Sequence, residues 1–281
     1  MEKSLITVSL VGLPNAGKST LINKIVGQKI SIISPKSQTT RFNIIGIKNV
    51  DKCQIIFTDT PGFKNSKNAL EKQMKNFALE AIESSDITCV VIDSCRLCKY
   101  GLDKSHLPNG IQGSIFLLNK IDKIRDKRVL LPHMKNIGDI YNPLDIFLLS
   151  ATKSTGIDSF TARLCELSNN NPWMFENDEV TDISQKELAQ EITREKLLYR
   201  IQDEIPYSVQ ITTERWEEQG DDLYINQTIF VNKNSHKAIV IGSGAANIKK
   251  IGQDSRAEIS KLLDKKVRLF LYVKVLEDTD L

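Results

Sequence analysis

Apolar positions along the 281 residues follow two rhythms. Short unbroken runs have the length and β-branched content of strands buried on both faces. They are Leu5-Ile6-Thr7-Val8-Ser9-Leu10-Val11, Ile55-Ile56-Phe57-Thr58, Val90-Val91-Ile92-Asp93, residues 114–118 and Ile146-Phe147-Leu148-Leu149. Between them lie helical stretches, beginning with Thr20-Leu21-Ile22-Asn23-Lys24-Ile25. Strands alternating with helices predict an α/β domain, a mostly parallel sheet with helices on both faces. Two further runs, residues 29–34 and 44–47, read as strand-like, with a polar, hydroxyl-rich segment between them.

The rhythm changes after Asn169-Asn170-Asn171-Pro172, a polar breaker. Residues 173–182 read as a connector. Ser184 followed by Glu187 is a capping box, opening a helix with Leu188, Ile192, Leu198, Ile201 and Ile205 on its apolar side, and Pro206 stops it. Strands over 207–216 and 223–231 follow, separated by acidic turn residues 217–222. A short return over 237–241 comes next, then a helix with Ile248, Ile251, Ile259, Leu262 and Leu263, and a last strand over 267–273. The expected division is 1–172 for the first domain, 173–199 for the connector and start of the linking helix, and 200–281 for a second, α+β domain.

Composition is that of a globular protein, and 26% charged residues argues against global disorder. No apolar run approaches membrane-spanning length. The apolar start, with Lys3 ahead of it, superficially resembles a secretory leader, but it runs directly into a glycine loop and reads better as a first strand. Five cysteines, an odd number, suggest reduced thiols and a cytosolic setting. Cys95-Arg96-Leu97-Cys98 is a lone CxxC with no second pair, read as a loop of free thiols. Net charge is only +3, yet from Lys233 to Lys274 ten Lys/Arg face three acids, a local +7.

The chemistry sits at strand ends. Gly12-Leu13-Pro14-Asn15-Ala16-Gly17-Lys18-Ser19, with Thr20 after it, is a GxxxxGK[ST] phosphate cradle between strand and helix. Its glycines let several N–H groups converge on one anion, and the helix N-terminus adds partial positive charge. Lys18 would reach the β- and γ-phosphates, and the Ser19 hydroxyl would ligate Mg²⁺. The segment around Gln38-Thr39-Thr40-Arg41 should supply a second hydroxyl for the metal, from Thr39 or Thr40; spacing does not choose. Asp59-Thr60-Pro61-Gly62 follows a strand, so Asp59 can hold Mg²⁺ through water and the Gly62 N–H can reach the γ-phosphate. Asn119-Lys120-Ile121-Asp122 names the base: a carboxylate matches the N1–H and N2–H₂ donors of guanine. A buried Asp122 would be left unpaired by adenine, a costly mismatch. Ser150-Ala151 carries backbone N–H groups that can approach guanine O6. Four such motifs in this order identify a GTP-binding domain.

Phe63 stands where Ras-like proteins carry the water-orienting glutamine, so slow intrinsic hydrolysis is expected. Asn15 resembles the asparagine with which some GTPases hold K⁺ beside the phosphates; equally, it could bond its own loop backbone. In the second domain, Gly242-Ser243-Gly244-Ala245 precedes a helix and lies in the basic stretch, which points to a nucleic-acid phosphate backbone.

These motifs, with Ile241-Gly242-Ser243-Gly244-Ala245 in a helix–strand–strand–helix–strand order, resemble the Era family of bacterial GTPases. Arg194-Glu195-Lys196-Leu197 and Pro206-Tyr207-Ser208-Val209 extend the resemblance over nearly the whole chain. It implies a P-loop GTPase domain followed by a type II KH domain and binding to the 3′ region of small-subunit (16S) rRNA. It also implies a role in rRNA processing and small-subunit assembly. A monomer in the cytoplasm, with peripheral attachment to the inner face of the cell membrane, is expected. RNA would lie along Ile241, Gly242, Ser243, Gly244, Ala245, Asn247 and Ile248, with Lys249 and Lys250 on its phosphates. Two departures stand out. Ala245 replaces the second glycine of the GxxG that clamps about four nucleotides, which should weaken RNA contact. The chain ends at Asp278-Thr279-Asp280-Leu281, where relatives carry a further tail, which removes tail contacts from the expectation. A rival reading keeps the GTPase and makes the second domain a protein-binding module.

Overall fold

The computed structural model describes residues 3–36, 39–62, 69–103, 107–108, 110–201 and 209–276. Gln38, Phe63, Ile205, residues 206–208 and residues 278–281, named above, lie outside them. The chain divides into two compact units, residues 1–33 with 37–182, and residues 34–36 with 183–281.

In the first unit β1 (Ser4–Val11) lies in the middle of a six-stranded sheet. β2 (Ile44–Val50) is the antiparallel edge on β3 (Cys53–Asp59), and β3 pairs parallel with β1. On the other side β4 (Ile87–Asp93), β5 (Ile115–Asn119) and β6 (Asp145–Leu148) add in parallel. Successive side chains point to opposite faces. Ile6, Val8, Leu10, Val91, Ile115 and Leu117 therefore join one core with α1 (Lys18–Val26) and α5 (Ile157–Glu166). Val11, Val90, Phe116 and Leu118 join the other with α3 (Ser94–Tyr100) and α4 (Leu131–Tyr141). α2 (Ala69–Glu83) precedes β4. This two-sided burial is why the strands read as unbroken apolar runs. All parallel strands end at one edge, where ligands of open α/β sheets bind.

The strand-like run 29–34 is no strand, although Ile30 and Ile32 are fully buried. Its backbone groups bond a side chain instead. Asn23 Oδ1 accepts from Ile30 N (2.9 Å) and Ser31 N (3.0 Å), and Asn23 Nδ2 donates to Ser31 O (2.7 Å). The connector lies on the β2–β3 edge: the Met174 and Phe175 amides donate to Gln54 Oε1, and the Thr181 hydroxyl donates to Ile45 O.

The second unit opens with α6 (Gln185–Arg200), capped reciprocally by Ser184 and Glu187 as the sequence predicts. β7 (Gln210–Gln219) and β8 (Asp222–Val231) form a hairpin, and β9 (Lys266–Val275) pairs parallel with β8. The turn shrinks to Gly220-Asp221. Glu217 and Glu218, expected in it, continue β7, where an edge strand leaves their charges exposed. The return over 237–241 is helical. α7 (Asn234–Ile241) precedes α8 (Ala246–Leu263), so the order is helix–strand–strand–helix–helix–strand. Only Val240 of its apolar triplet is fully buried and Ile239 is 46% exposed, a one-sided burial that a short helix satisfies. Arg194 is ion-paired to Glu191 inside α6, and Lys196 bridges Glu195 and Glu258. Part of the charged motif of the resemblance thus joins this helix to the one that carries Glu258. Among the described residues no helix is long and apolar enough to cross a membrane.

Candidate functional site

The turn after β1 folds over its own lysine. Gly12 (φ +146°) and Gly17 (φ +101°) take conformations that L side chains resist. A Cβ on Gly12 would lie 2.3 Å from Val91 O, and one on Gly17 would lie 2.4 Å from Asn119 Nδ2. Lys18, the first residue of α1, is buried and donates from Nζ to Gly12 O (2.9 Å) and Leu13 O (3.2 Å). Burial lowers its pKa from 10.5 to about 8, and the Asp59 carboxylate pulls the other way.

Asp59 ends β3, fully buried. Burial raises its pKa, while Lys18 and the hydroxyls of Ser19, Ser31 and Thr40 oppose the shift. Its Oδ2 accepts from Ser31 Oγ at 2.8 Å, whereas its Oδ1 has no hydrogen-bond partner among the described residues. Of the two candidate threonines, Thr40 lies against the phosphate helix, its hydroxyl 3.1 Å from that of Ser19. A carboxylate oxygen without a partner beside two hydroxyls is a hard-oxygen donor set suited to Mg²⁺. Thr60 ties the next turn down, donating to Leu10 O at 2.7 Å. Gly62 lies so close to Pro14 that a Cβ would meet it at 2.7 Å, which puts this turn directly on the phosphate loop.

The base-reading loops are fastened together by Asn119. Its Nδ2 donates to Ala16 O (3.0 Å), and its Oδ1 accepts from Lys120 N (2.8 Å) and Ala151 N (3.0 Å). One buried amide thus joins the phosphate loop, the end of β5 and the loop after β6. Both Asn119 and the Ala151 N–H, expected at guanine, are engaged here with the scaffold. Lys120, at φ +66°, reaches back to Asn15 O (2.5 Å) and Asp93 Oδ2 (2.7 Å). Asn15 is also left-handed, at φ +63°, and exposed.

Asp122 is exposed, which corrects the expectation of a buried carboxylate. The sheet edge delivers it to the rim, where only a bound base could cover it. Ser150 Oγ donates to its Oδ1 at 2.5 Å, and this bond lowers its pKa, so the group is ionised and oriented before any ligand arrives. A cleft of about 370 Å³, lined by Thr20, Lys24, Lys29, Ala151 and Thr152 among others, opens between α1 and the loop after β6.

In the second unit, Gly242 (φ +74°), Gly244 (φ +56°) and Ala245 (φ +62°) turn the chain from α7 into α8. The Ala245 N–H donates to Gly242 O at 3.0 Å, and a Cβ on Gly242 would press on Asn247 at 2.9 Å. Ala245 thus holds a left-handed shape that costs an alanine about 1–2 kcal/mol. Ser243, Gly244, Lys249 and Lys250 are exposed, while Ile241, Gly242, Ala245, Asn247 and Ile248 are half-buried. Asn247 has a structural task, donating to Ile239 O (2.9 Å) and accepting from Arg200 (3.2 Å). Lys250 pairs with Asp254 at 2.7 Å.

Sequence reasoning missed three residues here. Ser31, Asn23 and Asp93 carry no motif spacing; only their partners reveal them.

Comparison with known proteins agrees with this layout. Residues 7–129 match a family model described as a 50S ribosome-binding GTPase, and residues 204–279 match a KH domain. The chain is 39% identical to GTPase Era of Brucella suis over 279 residues, covering 96% of this chain and 88% of that protein. It is 37% identical to GTPase Era of Rickettsia bellii, covering 97% and 92%. A crystal structure of Era with MgGDPNP and nucleotides 1506–1542 of 16S ribosomal RNA superposes with a TM-score of 0.88 at 32% identity, covering 99% of this chain and 95% of that one. Aquifex aeolicus Era bound to GDP and AlF₄⁻, a variant protein, gives the same TM-score and identity.

Proposed function

This chain belongs to the Era family of GTPases, and we propose that it is a GTP-driven switch that binds the 3′ region of 16S rRNA during small-subunit assembly. The observation that supports this most is one sheet edge holding the phosphate loop, the Asp59 turn and a pre-oriented Asp122, in a chain that also carries a GxxG-like turn. Residues 1–172 handle nucleotide, 173–199 connect, and 200–281 handle RNA. A cytoplasmic location with peripheral contact at the inner membrane face is part of this proposal, and co-sedimentation with vesicles tests the membrane contact.

Backbone N–H groups of 12–20, Pro14 excepted, and Lys18 cradle the phosphates, and the Gly62 N–H approaches the γ-phosphate. Ser19, Thr40 and Asp59 would hold Mg²⁺. When bound, the ion neutralises charge on the β- and γ-phosphates. Asp122 accepts from guanine N1–H and N2–H₂, over a floor that Asn119, Lys120, Ser150 and Ala151 keep in place. Loss of the γ-phosphate releases the Thr40 segment and the Gly62 turn.

Asn15 is the candidate K⁺ ligand. Its side chain stands in an exposed, left-handed turn whose carbonyl oxygen is already engaged by Lys120. GTP turnover should rise severalfold when Na⁺ is exchanged for K⁺, and Asn15→Ala should abolish the difference. Equal rates in both salts would exclude the ion.

RNA binding is tested by filter binding of the rRNA 3′-end sequence against a scrambled strand. Preferential binding that weakens steeply with salt supports the reading, since phosphate contacts release counterions. Equal affinity for both strands would refute it. Ala245→Gly removes a methyl from the surface that meets the phosphate backbone and should tighten binding severalfold.

A further inference from the structure

We propose that Ser31, clamped by Asn23, is a positioning residue for the metal-site carboxylate Asp59. The inference rests on the reading of Ser19, Thr40 and Asp59 as the Mg²⁺ site.

Ser31 and Asp59 are both fully buried, 28 residues apart, and joined by a 2.8 Å bond from the serine hydroxyl to Oδ2. A carboxylate has two equivalent oxygens and can rotate. A donor on one of them leaves the other facing a single direction. Here Oδ1 is the oxygen without a partner among the described residues, and the paired hydroxyls of Ser19 and Thr40 lie at the same carboxylate. Ser31 therefore decides which oxygen is presented to the ion.

Ser31 is itself held from both sides of its backbone. Asn23 lies four residues after Ser19, on the same face of α1. Its one amide accepts from the N–H groups of Ile30 and Ser31 and donates to the Ser31 carbonyl. That replaces the ladder a neighbouring strand would have offered, and it ties the Ser31 hydroxyl rigidly to the helix that carries Ser19. The root of the Thr40 segment thus stays with the phosphate helix, and any nucleotide-dependent movement starts beyond it. Outer partners that orient metal ligands typically alter metal affinity about 10- to 100-fold when removed.

The test uses the full chain loaded with fluorescent GDP, with release followed against free Mg²⁺ down to excess chelator. The wild type should release GDP more slowly as Mg²⁺ rises. Ser31→Ala should raise the Mg²⁺ concentration for half-maximal slowing about tenfold, with release in chelator within twofold of the wild type. Asn23→Ala should shift the midpoint in the same direction, and the double variant should be no worse than the worse single. Asn23→Asp, which keeps the acceptor and loses the donor, should give a smaller shift in the same sense. An unchanged midpoint in Ser31→Ala would overturn the proposal. So would an equal acceleration in chelator, which marks a merely structural bond, or additive shifts in the double variant. A wild type insensitive to Mg²⁺ would instead refute the assignment of the metal site.

Discussion

Asp122→Asn should weaken GTP binding by roughly 100- to 10,000-fold and turn preference toward xanthosine triphosphate. Each hydrogen bond to a charged acceptor contributes about 1.5–3 kcal/mol, and guanine offers two donors to this carboxylate. The asparagine keeps one acceptor and replaces the other with a donor, which meets the amino group of guanine donor to donor. Xanthine carries a carbonyl at that carbon, so the same amide fits it. Because Asp122 is exposed, the free protein suffers little from the change, and the loss should appear in binding rather than in folding. Ser150 already orients the carboxylate at 2.5 Å, so Ser150→Ala should reproduce a fraction of the effect with selectivity kept. Competition against fluorescent GDP measures both. An Asp122→Asn variant that still preferred guanine to xanthine, or a wild type displaced equally well by ATP, would remove the basis for calling this a guanine site.

Lys18→Met should lower GTP affinity and turnover by about 100-fold or more, the scale of losing a charge-assisted contact in a desolvated site. Titration of the same residue gives an independent readout. Its pKa is about 8 in the folded chain and 10.5 in an unfolded one, so between those values the unfolded chain binds more protons. Lys18 therefore adds stability that is fully present above 10.5 and lost as pH falls through about 8. A triphosphate reverses this by favouring the charged ammonium. Nucleotide binding near pH 9 should then take up close to one proton. Calorimetry in two buffers of different ionisation heat reads that uptake, and Lys18→Met should abolish it. Uptake unchanged in the variant would assign the proton to another group.

Much of this was legible beforehand because it is local. Gly12 and Gly17 announce backbone angles, Ser184 and Glu187 announce a helix start, and unbroken apolar runs announce strands buried on both faces. The pattern misleads where a residue's partner lies elsewhere in the chain. Residues 29–34 look like a strand because Ile30 and Ile32 are buried, but one asparagine side chain took the backbone bonds a strand would have needed. Residues 237–241 read only as a short return, because Ile239, Val240 and Ile241 are apolar in succession and show no helical period. Packing of Val240 alone favours a helix instead.

Sequence alone determined that four phosphate- and guanine-reading motifs follow strands in a fixed order, ahead of a basic domain with a glycine turn. Residues adjacent in the chain suffice for each of those signals. Only the tertiary structure decided that Thr40 meets Ser19, that Asn119 spans 103 residues to hold the Ala16 carbonyl, that Asp122 stands at the rim, and that Ser31 grips Asp59. Those contacts depend on strand order and on which side chains are shut away from water. Burial drives most polar atoms to a partner wherever the fold brings one, and sequence spacing carries no record of the choice.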